Sequence, residues 1–368
     1  MTAIVVGTTT ATGIDEPHGA PNDPVAADPP ARPAAFLVFA TWSMAGLFLD
    51  GWSHRTNRPE SFFTPWHGVL YSGFLAGMAW YAVVAARGAR AGGTSAVAGV
   101  TLMRRRVSRG ESISRIGLVL FLGGGMADAV WHQVFGIEAN IGALLSPTHL
   151  SLMMGGIALG TGQLVDRWET TADTDPRSIR QTAYGTGLAV AIVIFFTMFL
   201  SPMLFRYLPR SEDGQSQLIA GLLVTTVLLV APMLLLARRW PLPAGSLLLI
   251  AAPSAAGLAA LDAGRMWATC LAPLIGALAG EAVLARSPGR RLAAGSARAL
   301  GVVVPLATWS AFYAAHASRG TMRFPAEVWT GSIVLACVVG VGISLLAVPP
   351  ALGDAAPQDP AHTPPSTG

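Results

Sequence analysis

The chain has 368 residues, of which 52% are hydrophobic and only 12% are charged. Its mean hydropathy of +0.52 excludes a soluble domain of this length and indicates an integral membrane protein. The formal net charge is +4, and all 24 basic residues are arginines. They flank apolar segments and do not form a patch, so the charge does not indicate nucleic-acid binding.

Residues 1–32 are rich in Pro, Ala, Thr and Asp and predict a disordered tail. About ten apolar segments then follow, each close to the roughly 20 residues that a membrane-spanning helix needs. They cover 34–52, 66–86, 116–135, 148–165, 182–205, 217–237, 244–262, 267–285, 298–316 and 327–348. The sequence therefore predicts an all-α, polytopic transmembrane bundle. Residues 33–165 form a four-helix unit, residues 166–348 add further membrane helices, and residues 349–368 form a second disordered tail.

The arginines also predict an orientation. With the N-terminus in the cytoplasm, the connections on the cytoplasmic side hold sixteen arginines and the opposite connections hold seven. Cytoplasmic loops carry the excess of positive charge in membrane proteins. We therefore expect both termini in the cytoplasm of a bacterial cell, with the chain in the cytoplasmic membrane.

Two stretches of the four-helix unit repeat one pattern of Asp and His. The first runs DGWSHRTNRPESFFTPWHG and contributes Asp50, His54 and His67, which we call the first trio. The second runs DAVWHQVFGIEANIGALLSPTHL and contributes Asp128, His132 and His149, the second trio. In each trio the Asp precedes the first His by four residues, so both side chains lie on one face of a helix.

The second His of each trio is predicted to lie in the first turn of the following helix. Thr64 and Ser146 are suitable N-caps, and Pro65 and Pro147 suit the first helical position, which places each His at the third. Because both helix pairs cross out and back, we expect parallel repeats related by a pseudo-twofold axis, with the two trios facing each other. The six side chains then serve one dinuclear site, two separate sites, or two sites filled one at a time.

Two imidazoles and a carboxylate suit Cu(II), non-haem Fe(II) or Zn(II). A structural alternative is that each Asp-His pair only holds a helix end by hydrogen bonding. Two units in the same capping register favour a metal, because ionisable groups at membrane depth are costly and tend to mark function. Nearby candidates with weaker signals are Glu138, a loop carboxylate, and the core-filling methionines Met126, Met153 and Met154.

This pattern resembles the C subunit of the copper membrane monooxygenases, which include particulate methane and ammonia monooxygenases. That family has an Asp/His/His copper site whose spacing matches Asp50, His54 and His67, and a second site of Asn, His and His. Here Asp128 stands in place of the Asn, His132 keeps the spacing, and His149 lies slightly farther along the chain. The resemblance covers residues 36–165, and no similarity extends beyond residue 182. It implies one or two copper ions, and the family enzyme requires further membrane subunits.

Three hypotheses follow for the function. In the first, the trios hold copper and activate dioxygen against a small apolar substrate that arrives through the bilayer. In the second, the same ligands store or deliver copper without turnover. In the third, zinc takes the place of copper in a membrane hydrolase, with Glu138 or Asp128 as general base. Copper is preferred over zinc and iron, and the expected partners are lipid together with additional membrane subunits or a second copy of the chain.

Overall fold

The structure is a computed structural model, and it describes residues 31–56, 64–91, 108–136, 140–169 and 175–350. These residues form α-helices joined by turns and short 3-10 segments, and no strand occurs among them. The helices are α1 (Ala31–Arg55), α2 (Pro65–Ala91), α3 (Arg109–Phe135), α4 (Asn140–Leu145), α5 (Pro147–Glu169), α6 (Pro176–Phe196), α7 (Glu212–Arg239), α8 (Ser246–Leu261), α9 (Trp267–Cys270), α10 (Ala272–Ala285), α11 (Ala294–Ser318) and α12 (Ala326–Ala347). The predicted all-α class is confirmed. The two predicted tails lie outside the described residues, apart from positions 31–32 and 349–350.

Each of the ten predicted spans coincides with a helix, with α9 and α10 together forming the eighth. Eight of them are long and apolar enough to cross a membrane. The other two are α8, whose 16 residues extend about 24 Å, and α5. Helix α5 has 23 residues but carries Gln163, Asp166 and Arg167 in its second half. Apolar side chains such as Val119 and Leu346, which are 71% and 81% exposed, cover the outside of the bundle as a lipid-facing surface requires.

The fifth predicted span ends earlier than the sequence indicated. Helix α6 stops at Phe196, and two 3-10 turns, Met198–Leu200 and Pro202–Leu204, follow it. Proline disfavours the helical conformation of the residue before it, and Ser201 is extended, with φ −68° and ψ 117°. At its start α6 is capped by Asp175, whose carboxylate accepts hydrogen bonds from the backbone N–H of Ser178 and Arg177. These bonds lower the pKa of Asp175.

The four-helix unit consists of two hairpins, α1–α2 and α3–α5, each held by close backbone contact. In the second hairpin a Cβ on Gly155 would lie 2.7 Å from the backbone nitrogen of Phe121. In the first hairpin a Cβ on Gly46 would lie 2.3 Å from the backbone nitrogen of Leu70. Small residues let membrane helices approach in this way. Only glycine fits at these two positions, and the close approach aligns the helix ends that carry the trios.

The two hairpins meet mainly through long side chains of α2 and α3. Phe74 stacks on Phe121 with ring centroids 4.3 Å apart. At the end away from the trios, the hydroxyl of Tyr81 donates to Glu111 at 2.8 Å, and Arg115 bonds both groups. Aromatic side chains thus keep the backbones of α2 and α3 apart, and this spacing leaves a cavity between the hairpins.

Helices α6–α12 form the larger core, and the four-helix unit rests on it through α1 and α5. Phe48 of α1 packs edge-on against Phe195 of α6 at 5.2 Å, and its ring fills the space beside Gly257 of α8. At the end of this core away from the trios, the buried Glu281 forms an ion pair with the partly exposed Arg290. Glu281 also accepts a hydrogen bond from the backbone N–H of Leu247.

Candidate metal centre

Local sequence signals place both trios as the pattern predicted. Asp50 and His54 lie in the last two turns of α1, and Asp128 and His132 in the last two turns of α3. The hydroxyl of Thr64 accepts from the backbone N–H of His67 at 3.2 Å, which caps α2. Ser146 accepts from the backbone N–H of His149 at 3.3 Å and caps α5 in the same way. The predicted capping register is therefore confirmed in both units.

The second trio converges on one point. Nε2 of His132 lies 3.4 Å from Oδ2 of Asp128, and Nε2 of His149 lies 3.7 Å from Oδ1. One donor atom from each residue falls within 4.8 Å of the others. Donors bound tetrahedrally at 2.0–2.1 Å are separated by roughly 3.4 Å. The two separations from Asp128 are therefore close to those of ligands around one ion.

Hydrogen bonds fix the protons of the second trio. Nδ1 of His132 lies 3.2 Å from the backbone carbonyl of Gly136, which can only accept, so Nδ1 carries the proton. The hydroxyl of Thr148 donates to Oδ1 of Asp128 at 2.8 Å. Ser146 must then donate to Thr148 and accept from Nδ1 of His149, at 3.1 Å and 2.7 Å. In the neutral form, each imidazole therefore points the lone pair of Nε2 toward Asp128.

This arrangement favours a positive charge beside Asp128. Asp128 is only 1% exposed, and its buried Oδ2 has no hydrogen-bond partner. Lone pairs of two imidazoles repel a buried carboxylate, and a positive charge between them, either a proton on an imidazole or a metal ion, removes that repulsion. Ligating histidines usually donate their other ring N–H to a carbonyl or a similar group, which sets the ring orientation. The second trio has this outer arrangement, and its donor set fits copper, zinc or iron.

The first trio gathers around a single oxygen. Nε2 of His54 and Nε2 of His67 lie 3.6 Å and 3.5 Å from Oδ2 of Asp50. Nδ1 of His67 lies 3.2 Å from the hydroxyl of its cap, Thr64. Among the described residues, however, only the second trio brings all three donors within 4.8 Å of one another. The ring nitrogens of His54 and His67 therefore lie more than 4.8 Å apart and must draw closer to share an ion.

The two trios lie close enough to interact electrostatically. Asp50 and His54 of the first trio both interact electrostatically with His149 of the second trio. Tyr71 of α2 lies near enough to both carboxylates, Asp50 and Asp128, to interact with each. The expectation that the trios face each other across the hairpins agrees with these interactions.

The weaker candidates differ from the trios in their surroundings. Met126 and Met154 are 67% and 57% exposed on the outside of the bundle, where they form part of its lipid-facing surface. Glu138 lies outside the described residues. Sequence reasoning missed Thr148, whose hydroxyl bonds Asp128, although it stands between the cap and the histidine of the second trio. It also missed Tyr71, because nothing local marks a residue that contacts another hairpin.

Comparisons of the chain with protein-family models, with curated proteins and with solved structures found no match. The resemblance to the copper membrane monooxygenases therefore remains a prediction from residue types and spacing.

Proposed function

We propose that this membrane protein binds copper through its two Asp/His/His trios and uses it in oxygenase-like oxidation of a small apolar molecule. The observation that supports metal binding most strongly is the geometry of the second trio, with Asp128, His132 and His149 at ligand separations. Each trio supplies three ligands, which leaves coordination positions for an exogenous molecule.

The donor set narrows the choice of metal. Imidazole nitrogen and carboxylate oxygen bind Cu(II) more tightly than the other divalent ions of the first transition row. The second trio contains two imidazoles of fixed tautomer, and a carboxylate that supplies one negative charge in a buried setting. With the first trio included, the unit accommodates one or two copper ions. Zinc and iron are the less favoured occupants.

An apolar cavity supports the choice of substrate class. It lies between the two hairpins and α6 and opens to the outside of the bundle, and its space of about 620 Å³ includes this open mouth. Leu47 and Leu70 line it one helical turn below Asp50 and His67, and Phe121 lines it two turns below Asp128. The hydroxyl of Ser43, which also lines the cavity, is already bonded to the backbone carbonyl of Leu70. A molecule in this cavity meets almost only hydrocarbon, so an uncharged apolar molecule fits best.

The residues of the chain have distinct roles in this proposal. Copper, when bound, supplies the redox chemistry toward dioxygen. Asp128 and the two histidines hold the ion, Thr148 orients the carboxylate, and Gly136 and Ser146 orient the imidazoles. The stacked rings of Phe74 and Phe121 keep water from the space beneath the trios. The proposed partners are lipid together with additional membrane subunits or a second copy of the chain. The proposed location is the bacterial cytoplasmic membrane.

Elemental analysis of protein purified in lipid nanodiscs tests the proposal. The wild type should contain one or two copper ions per chain. His132→Ala with His149→Ala should remove one of them, and His54→Ala with His67→Ala should remove any ion held by the first trio. His18→Ala changes a histidine outside the trios and serves as the control, with unchanged metal content.

The result also separates the alternatives. Copper that is bound without any product from small hydrocarbons, in the presence of dioxygen and a reductant, favours storage or delivery. Zinc that leaves on substitution of the second trio favours a hydrolase. Metal content that survives both double substitutions contradicts the assignment of the ligands.

A further inference from the structure

Tyr71 stands between the two trios. Its ring stacks beside that of His67, with centroids 6.1 Å apart and planes at 26°. On its other side the ring lies against α3 at Gly125, where an added Cβ would be 2.8 Å from Cε1 and 3.1 Å from the hydroxyl oxygen. Gly125 is one turn before Asp128 on the same helix. The phenol therefore bridges from the first trio to the second.

The repeat shows that this arrangement departs from internal symmetry. Leu47 lies three residues before Asp50, and Gly125 holds the corresponding place before Asp128. Tyr71 lies four residues after His67, where the second unit has Met153 after His149. The second unit lacks a side chain at Gly125, where the first unit has Leu47, and the ring of Tyr71 lies against this glycine. The chain thus makes room for one phenol in a space that symmetry would otherwise fill with a leucine.

The buried hydroxyl of Tyr71 is a polar group in an apolar part of the bundle. The ring also contacts Phe121, with centroids 6.5 Å apart. In such surroundings a hydrogen bond donated by the phenol O–H is stronger than in water, because the local dielectric constant is low. The carboxylates of Asp50 and Asp128, two of the proposed metal ligands, interact electrostatically with Tyr71. The phenol therefore lies near both proposed metal sites.

We propose that Tyr71 is a positioning residue that donates a hydrogen bond to a small ligand bound on the metal of either trio. The inference rests on the proposed metal sites and adds a residue that determines which ligands bind there. The expected ligands are small molecules or anions with a lone pair available beside the metal, such as dioxygen-sized species or azide. A hydrogen bond from the phenol favours these over ligands that present only hydrocarbon.

Azide titration of the Co(II)-loaded protein tests this role, with visible absorption as the readout. Tyr71→Phe keeps the ring and removes only the hydroxyl. We expect Co(II) affinity to stay within about twofold of the wild type and azide affinity to fall roughly tenfold or more, as the loss of a hydrogen bond to a charged group implies. Tyr81→Phe is the matched control, because it removes the same atom from the same helix at the opposite end of the unit.

Gly125→Ala provides a second variant should Tyr71→Phe fail to fold. Its Cβ would displace the ring of Tyr71, so azide affinity should fall in this variant as well. Equal azide affinity in the wild type and Tyr71→Phe, with Co(II) bound in both, overturns the role of Tyr71 and leaves the metal sites intact. Absence of azide binding to the loaded wild type also overturns it. Absence of Co(II) binding to the wild type contradicts the proposed function itself.

Discussion

Gly155→Ala tests whether the second metal site depends on the close approach of α3 and α5. A Cβ at this position would lie 2.7 Å from the backbone nitrogen of Phe121 and 2.9 Å from the carbonyl oxygen of Gly117. Both neighbours are backbone atoms, so no side-chain rotation relieves the overlap. Restoring ordinary contact requires the helices to separate by about 0.7 Å, at a cost of about 1–3 kcal/mol of stability.

The separation acts directly on the proposed ligands, because His149 is on α5 and Asp128 is on α3. Nε2 of His149 is already 3.7 Å from Oδ1 of Asp128. A further 0.7 Å brings that separation to about 4.4 Å, beyond the roughly 4.2 Å that two donors can span across one ion with bonds near 2.1 Å. We therefore expect Co(II) affinity to fall about 10–100-fold, which is the range typical of mutations that disturb the orientation of metal ligands.

The assay is a Co(II) titration in lipid nanodiscs against a competing chelator, with helix content followed by circular dichroism. Gly123→Ala is the control, because an added Cβ there meets nothing within 4 Å. We expect a loss of Co(II) affinity in Gly155→Ala and no loss of affinity in Gly123→Ala. Equal Co(II) affinity in both variants, with full helix content, would refute the link between helix approach and the metal site.

Three further substitutions have definite expectations. Thr148→Val removes the hydroxyl that bonds Asp128 and should lower Co(II) affinity about tenfold; Thr161→Val, whose hydroxyl bonds only its own helix, should leave that affinity unchanged in the same titration. Asp128→Asn should weaken Co(II) binding to the second trio, and retention of the wild-type metal count and affinity would show that Asp128 is not a ligand. Glu281→Gln breaks the partly buried pair with Arg290 and should lower the thermal midpoint by the equivalent of about 1–3 kcal/mol without changing metal content. A changed metal content would contradict the separation of the two regions.

Much of the candidate site was predictable because its signals are local. The four-residue step from Asp128 to His132 places both on one helix face by helical geometry alone. Ser146 and Pro147 mark the start of the next helix and so fix the position of His149 within its first turn. The same reasoning holds for the first trio, and all six residues lie at the helix positions that the pattern predicted.

The remaining features depend on contacts between distant segments. Nothing near Tyr71 in the sequence indicates that its ring would lie against Gly125, because that contact depends on how the two hairpins meet. The end of α6 at Phe196 was missed because apolar residues continue to Leu204. The chain forms 3-10 turns there, and the proline at 202 keeps an α-helix from continuing through Ser201. The donor atoms of the second trio lie closer together than those of the first, and this difference depends on side-chain positions that residue spacing does not determine.

Anomalous X-ray scattering at the copper edge, from crystals of the protein purified with its metal, tests the central claim most directly. We expect a peak bounded by a carboxylate oxygen of Asp128 and by Nε2 of His132 and His149, about 2.0–2.2 Å from each. A copper peak bound elsewhere, or intact side chains of the second trio with no peak among them, would contradict it.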